Sequence, residues 1–215
     1  MSSPEDNERL QDLGRASMQI VHDLKNQLNG LKLYATFLRR RIEKTERPGD
    51  EQETVGKLIS GLDRCAEDLS LIVRYGQPVE LKKQAGVEVD KVLSGVCASL
   101  NENGSVIVLN GKSNGIQGNL DLFKLTDAVK WLCTGALKHR QNGDEPHELS
   151  LSARTDGDQA VIEWSGLRKL DHDPFRSFAG SDEIKLALAA KIVEAHGGSA
   201  KFDDGKIIVI IPLGG

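Results

Sequence analysis

The sequence predicts an α+β protein in which an antiparallel helical hairpin precedes a layered domain of helices and strands. Three observations carry this prediction. Apolar residues recur every seven residues in two long segments before Pro78. After Pro78, short alternating runs are separated by turns that contain glycine and asparagine. With 39% hydrophobic residues, the chain of 215 residues can bury a core.

A heptad repeat predicts the first helix. It begins after Ser3, a predicted N-cap that Pro4 follows, and it ends in three arginines at residues 39–41, whose charge suits a helix C-terminus. Its predicted a and d positions are Leu10, Leu13, Ser17, Ile20, Leu24, Gln27, Leu31, Tyr34 and Leu38. Most of these residues are apolar, as in a helix that packs in a bundle.

A turn over residues 45–50 leads to a second heptad run, which ends before Pro78. Its a and d positions are all apolar: Val55, Leu58, Leu62, Cys65, Leu69 and Ile72. One hairpin cannot cover both of its apolar stripes. We therefore expect residues 1–80 to form a homodimer, with two hairpins paired in a two-fold four-helix bundle.

Helices and strands are mixed after the hairpin, and we assign residues 81–215 to a second domain. Helices are predicted over 88–101, 120–139 and 182–196. Strands are predicted over 105–109, 149–153, 160–164, 199–202 and 206–212. Hairpin connections between these strands indicate an α+β layer fold.

Charge and composition argue against several classes of function. The net charge of −4 gives no general attraction to nucleic acid, and 4% aromatic residues offer little surface for stacking on bases. No stretch approaches the ~18 apolar residues of a membrane span, and no signal peptide is evident, so we expect a cytoplasmic protein without membrane contact. Cys65, Cys97 and Cys133 lack the spacing of a zinc site, and we expect all three to be buried, reduced thiols.

The most specific local pattern is the run His-Asp-Leu-Lys-Asn at residues 22–26. The heptad places His22 at position f, which faces away from the bundle core, where a neutral imidazole can act as a nucleophile. Asp23 can accept a hydrogen bond from one ring nitrogen and leave the other to attack. Asn26 follows one turn later, where its amide can orient a phosphoryl group or a water. From spacing alone, a solvated surface histidine is an equally good interpretation.

This run resembles the H box of sensor histidine kinases, usually His-Glu/Asp-x-x-Asn/Thr-Pro-Leu, and the hairpin is similar to their dimerisation and histidine-phosphotransfer domain. The resemblance implies that His22 carries a phosphoryl group, that Asp23 assists and that Asn26 supports phosphatase activity. Gln27 stands where the family usually has proline, so we expect no bend in the helix at this point.

The second domain resembles the ATP-binding domain of the same kinases. Residues 186–198 are similar to the helix after the second glycine box, and residues 173–178 are similar to the F box. His196, near the end of the first of these segments, fits a helix-end motif better than a catalytic role. The motifs that contact nucleotide are altered. Trp131 and Gly135 align with the two asparagines of the N box, and Gly166 aligns with the aspartate that reads adenine. Glu183 and Lys185 align with the two glycines of the second glycine box.

A retained H box beside lost nucleotide motifs implies a histidine phosphotransferase built from a degenerate kinase, similar in architecture to the ChpT-type phosphotransfer proteins. Receiver domains of response regulators would give and take the phosphoryl group at His22. Because the receiver supplies its own Mg²⁺, we expect no ATP, cofactor or metal in this chain. Asn29 and Leu33 follow His22 at helical spacing and are predicted to contribute to receiver choice, although a solvated helix face explains each of them singly.

Three other functions remain open at this point. A response-regulator phosphatase would use Asp23 and Asn26 to position water on the receiver's acyl phosphate. A non-catalytic dimeric adaptor or kinase inhibitor would need neither His22 nor Asn26. An active kinase would have to bind ATP through residues outside the usual motifs.

Overall fold

A computed structural model describes residues 4–43, 49–102, 104, 106–110, 115–140, 148–177 and 181–214. The chain forms two compact units, Met1–Gln77 and Pro78–Gly215. The predicted N-cap Ser3 lies outside the described residues, as does most of the turn predicted over residues 45–50.

The first unit is a hairpin of two long helices, α1 (Pro4–Glu43) and α2 (Gly49–Gly76). The helices pack against each other, and Ala35 and Ile59 are buried. An ion pair of 2.5 Å joins Lys32 Nζ on α1 to Asp63 Oδ1 on α2. The helix α1 continues without interruption through Gln27, the position where proline would remove a backbone hydrogen bond.

Much of the apolar heptad stripe of this unit is exposed. The exposed members are Leu24, Leu31, Tyr34 and Leu38 on α1 and Leu58, Cys65 and Ile72 on α2. We refer to these seven residues as the exposed seam. The prediction that all three cysteines are buried is wrong for Cys65, which is exposed. The side of α2 that packs against α1 carries the buried Ile59, and Cys65 lies on a different side of the helix.

The second unit contains seven strands and three α-helices among its described residues. In chain order they are β1 (Gln84–Glu88), α3 (Val89–Glu102), β2 (Ile107–Asn110), β3 (Gln117–Leu120), α4 (Leu122–Lys138), β4 (Leu149–Asp156), β5 (Gln159–Ser165), α5 (Ser181–Ala195), β6 (Ser199–Asp203) and β7 (Lys206–Pro212). The large sheet has the order β2-β4-β5-β7-β6, with β2 parallel to β4 and the other neighbours antiparallel. The prediction of an α+β fold is confirmed.

The core of this unit lies between the large sheet and its helices. Ile207, Val209 and Ile211 alternate along β7 and are all buried, as the period of two in a strand requires. Trp164 on β5 is fully buried. The helix α5 has eight buried apolar residues in its 15 positions, so it is enclosed on most sides and is a core helix.

Two strands, β1 and β3, were not predicted. They pair antiparallel in a separate two-stranded sheet, and each is short, rich in polar residues and interrupted by glycine. Val89 N donates to Ile116 O at 2.9 Å, and Ile116 N donates to Asp90 Oδ2 at 3.1 Å. The pairing is thus held by contacts between distant segments rather than by an apolar alternation.

Buried His196 links the end of α5 to the start of α4. Its Nδ1 lies 2.8 Å from Ile192 O, so the N–H is on this nitrogen, and Nε2 accepts a hydrogen bond of 3.0 Å from Asp121 N. Asp121 is the N-cap of α4, and its Oδ1 accepts from Lys124 N at 2.9 Å. These contacts support the interpretation of His196 as a helix-end residue.

We expect His196→Ala to lower the free energy of unfolding by about 2 kcal/mol, because the buried Asp121 N–H loses its acceptor. Urea unfolding of the full chain measures this loss. His172→Ala, which removes an exposed histidine, serves as the control. Equal stability of both variants would contradict a structural role for the His196 ring.

Candidate functional site

His22 lies near the middle of α1, and 59% of its side chain is exposed. The neighbouring Asp23 is exposed to a similar extent, 58%. The imidazole is therefore open to a macromolecular partner, while the backbone that carries it is held by the hydrogen bonds of a long helix.

Two side chains approach the same ring nitrogen of His22. Asp23 Oδ1 lies 3.5 Å from Nδ1, and Asn26 Nδ2 lies 3.4 Å from it. A carboxylate only accepts hydrogen bonds, so the contact with Asp23 favours a proton on Nδ1, whereas the Asn26 amide nitrogen only donates and favours a lone pair there. In the tautomer that Asp23 favours, Nε2 carries the lone pair and is the nucleophilic nitrogen, and the Asn26 amide loses its acceptor on the ring.

Further exposed residues follow His22 along α1. Asn29 is exposed, and Leu33 is 55% exposed. The sequence analysis missed Phe37, which is also 55% exposed and lies one turn after Leu33. The spacing of 15 residues from His22, close to four helical turns, is the signal that could have found it. We refer to Asn26, Asn29, Leu33 and Phe37 as the His22 face.

Packing contacts occupy the positions that align with the N box. Trp131 is only 9% exposed. At Gly135, a Cβ atom would lie 2.5 Å from Leu186 Cδ2, so the absence of a side chain lets α4 approach α5 closely. Neither position offers an oxygen ligand to a metal ion.

An ion pair connects α4 and α5 near the position of the second glycine box. Lys138 Nζ lies 3.0 Å from Asp182 Oδ2 and 3.7 Å from Glu183 Oε1, and the Glu183 side chain is only 13% exposed. The hydrogen bond to Asp182 raises the pKa of Lys138. A Mg²⁺-nucleotide does not fit these residues, because a carboxylate and a long side chain stand where backbone amides would approach phosphates.

Beside this ion pair lies a buried histidine that the sequence analysis did not single out. His139 follows the last residue of α4, is 5% exposed, and neither of its ring nitrogens has a hydrogen-bond partner among the described residues. Its backbone O accepts from Arg168 N at 2.9 Å. Burial lowers the pKa of His139, and the charge of Arg168 lowers it further, against an opposing effect of Glu183.

A groove with a volume of about 970 Å³ lies along α3, β1 and the start of α4. Its lining is mainly apolar and includes Val92, Val96, Leu100 and Phe123, the last of which is 82% exposed. None of the residues aligned with the nucleotide motifs lines this groove. Within the described residues, no group of three or more His, Cys, Asp or Glu side chains could hold a metal ion.

Solved structures of histidine kinases share this fold. Full-length ShkA in complex with AMPPNP matches with a TM-score of 0.71 and 19% identity, over 90% of this chain and 44% of ShkA. The Acinetobacter baumannii histidine kinase AdeS matches with a TM-score of 0.59 and 16% identity, over 89% of this chain and 98% of AdeS. The catalytic domain of histidine kinase ThkA matches with a TM-score of 0.51 and 13% identity, over 62% of this chain and 97% of ThkA.

These matches establish the fold, a helical hairpin followed by a domain of the histidine-kinase ATPase type. The chain spans less than half the length of ShkA. No protein-family model matches the sequence, and no curated protein does. Among the helices that the structure describes, none combines the length and the apolar character needed to cross a bilayer.

We expect the buried His139 to make the fold sensitive to acid. Because its pKa in the folded chain is below the ordinary value, the unfolded chain binds the proton first as pH falls. Stability is therefore complete above the ordinary histidine pKa of ~6.5 and is lost as pH falls below it. In thermal unfolding between about pH 7.5 and about pH 5.5, His139→Leu should lose less stability than the wild type. Parallel pH profiles would contradict this assignment.

Proposed function

We propose that this chain is a histidine phosphotransferase of a two-component relay. It accepts a phosphoryl group from the aspartate of one receiver domain on Nε2 of His22 and passes it to the aspartate of a second receiver, without ATP. The observation that carries the proposal is the exposed His22 ring with Asp23 at Nδ1, set on the hairpin of a histidine-kinase fold. In this proposal the chain is similar in function to the ChpT-type phosphotransfer proteins.

The chemistry needs only the groups of His22 and its neighbours. The Nε2 lone pair attacks phosphorus, the bond from phosphorus to the receiver's aspartate oxygen breaks, and the aspartate leaves as a carboxylate. The proton stays on Nδ1, and the Asp23 carboxylate at 3.5 Å stabilises the positive charge that develops on the ring. The second transfer is the reverse of this step, with the new receiver's carboxylate as the nucleophile.

The second unit supports a relay that does not use ATP. Its N-box positions are occupied by packing contacts, and Glu183 and Asp182 are engaged with Lys138. Transfer of a phosphoryl group also requires a cation that neutralises the charge on the phosphate oxygens. In this proposal the receiver supplies that Mg²⁺ together with the acyl phosphate, so the chain needs no metal site of its own.

Receiver domains would dock on the His22 face. Asn26 and Asn29 offer amides that both donate and accept hydrogen bonds. Leu33 and Phe37 add apolar area at the C-terminal end of the same face, and both are about half exposed. In this proposal the amides orient the receiver and the two apolar residues supply binding energy.

A homodimer is part of the proposal. The exposed seam of the hairpin contains large apolar residues on both helices, and each would be transferred out of water when two hairpins form a four-helix bundle. The His22 face lies on another side of α1, because Leu31 and Leu33 are separated by 200° around the helix. Dimerisation therefore leaves His22 accessible.

The relay is tested by incubating the full chain with a receiver that carries a radiolabelled phosphoryl group. The wild type should take up acid-labile label, and His22→Ala should take up none, because the nucleophile is lost. His172→Ala, which changes an exposed histidine elsewhere, should be labelled like the wild type. Incubation with labelled ATP and Mg²⁺ in the absence of a receiver should give no label.

Other outcomes of this experiment separate the competing functions. Release of free phosphate that survives in His22→Ala and is lost in Asn26→Ala would establish the phosphatase. An unchanged receiver across several candidates would favour the adaptor or inhibitor. Label that is taken up from ATP alone would make the chain an active kinase and overturn the proposal.

Two variants with the same change, Leu31→Asp in the exposed seam and Leu33→Asp in the His22 face, test the two surfaces of α1 separately. The residues are 54% and 55% exposed and lie on the same helix. Leu31→Asp should convert the dimer to a monomer in light scattering, because it places a charge in the apolar seam. Leu33→Asp should remain dimeric and take label from the receiver more slowly. A monomeric wild type, or dissociation of both variants, would refute the assignment of the seam.

A further inference from the structure

The end of α2 packs closely on α1, one helical turn before His22. Gly76 is the last residue of α2, and a Cβ atom at this position would overlap the Sδ atom of Met18 and lie 2.8 Å from its Cε atom. Real Cβ atoms do not approach other atoms so closely, so the Met18 side chain can lie against α2 only because residue 76 has no side chain. The relay chemistry makes no use of this contact.

Close packing, rather than backbone conformation, explains the glycine at position 76. Gly197, just after α5, has a φ of 86°, the left-handed conformation that is common after a helix end, whereas the φ of Gly76 is not positive. A Cβ atom on Gly56, elsewhere on α2, would meet nothing within 4 Å among the described residues. The close approach to α1 thus distinguishes Gly76 from another glycine of the same helix.

Met18 lies four residues before His22 on α1. Residues at this spacing are neighbours on one side of a helix, with their Cβ atoms about 5–6 Å apart. Helical side chains lean toward the N-terminus of the helix, so the His22 side chain extends over the turn that carries Met18. The position of the Met18 side chain therefore shapes the surface that a partner meets beside the imidazole.

We propose that Gly76 is a positioning residue for phosphoryl transfer to His22, a role that rests on the relay proposed above. By leaving room for Met18 against the end of α2, Gly76 keeps that side chain out of the path by which a receiver approaches the imidazole. A larger residue at position 76 would push the flexible thioether of Met18 away from α2. The displaced side chain would then obstruct the receiver beside His22.

The substitution Gly76→Ala should leave the hairpin folded. The three atoms nearest to the added Cβ all belong to the Met18 side chain, which can move without a shift of the backbone. Alanine also favours a helical conformation over glycine by roughly 0.5–1 kcal/mol. The expected effect is therefore on access to His22 and not on the fold.

The test compares two labelled phosphoryl donors of different size on the full chain, with His22→Ala as the background. A phosphorylated receiver has to dock, whereas phosphoramidate is small enough to reach the imidazole from solvent. We expect Gly76→Ala to take label from the receiver about tenfold more slowly than the wild type, and from phosphoramidate at the wild-type rate. A loss of folded protein would slow both donors equally, so this difference separates a positioning role from a structural one.

Two further variants control for the substitution itself. Gly56→Ala makes the same change on α2 at a position where the added Cβ has open space, and it should take label from both donors like the wild type. Adding Met18→Ala to Gly76→Ala should restore most of the rate with the receiver, because the shorter side chain leaves room for the new Cβ.

The outcomes that contradict this role differ from those that contradict the relay. If the wild type and Gly76→Ala take label from the receiver at the same rate, Gly76 has no positioning role, although the relay stands. Equal slowing with both donors, or no recovery when Met18→Ala is added, would also overturn the role of Gly76. A wild type that takes label from phosphoramidate but from no receiver would overturn the relay, and the role of Gly76 with it.

Discussion

The geometry of one helix constrains everything that the hairpin can do. With 3.6 residues per turn, α1 has to present three surfaces at once: the side that packs on α2, the exposed seam and the His22 face. The heptad repeat from Leu10 to Leu38 returns each surface to nearly the same side of α1 every seven residues, which is why His22 stays exposed although apolar residues surround it in sequence. A proline at Gln27 would disturb this register close to the reactive ring.

In the second unit, contacts within the protein stand where a kinase would contact nucleotide. Gly135 lets Leu186 approach α4, and Lys138 draws two carboxylates of α5 into an ion pair. The exposed pair of Lys138 with Asp182 contributes little stability, typically less than about 1 kcal/mol, whereas the buried side chains of α5 and β7 carry the fold. Two of the positions aligned with the N box, Trp131 and Gly135, thus contribute to the packing of the domain.

Sequence periodicity predicted the helices of the hairpin from an apolar stripe at heptad spacing and the core strands from buried residues at a spacing of two. It could not predict β1 and β3, which depend on pairing between distant segments and contain few apolar residues. Cys65 was assigned to the core because an apolar stripe does not reveal whether its cover comes from the same chain or from a second one. The exposed position of His22 followed from the heptad, whereas the opposing contacts of Asp23 Oδ1 and Asn26 Nδ2 at its Nδ1 required the three-dimensional structure. His139 could be recognised as a buried ring without hydrogen-bond partners among the described residues only from the three-dimensional packing, because nothing in the sequence indicates it.

The proposed relay explains why the His22 face combines amides with a small apolar area. A histidine that serves two receivers in turn must release each of them, so a large apolar interface would slow the exchange. Leu33 and Phe37 provide two half-exposed apolar side chains, while Asn26 and Asn29 offer hydrogen bonds that water replaces readily. The larger apolar area of the hairpin is gathered in the seam, where a long-lived contact between two copies of the chain is useful. In the proposed relay, permanent and transient contacts would occupy separate sides of one helix, and a substitution on one side would change partner exchange without dissolving the bundle.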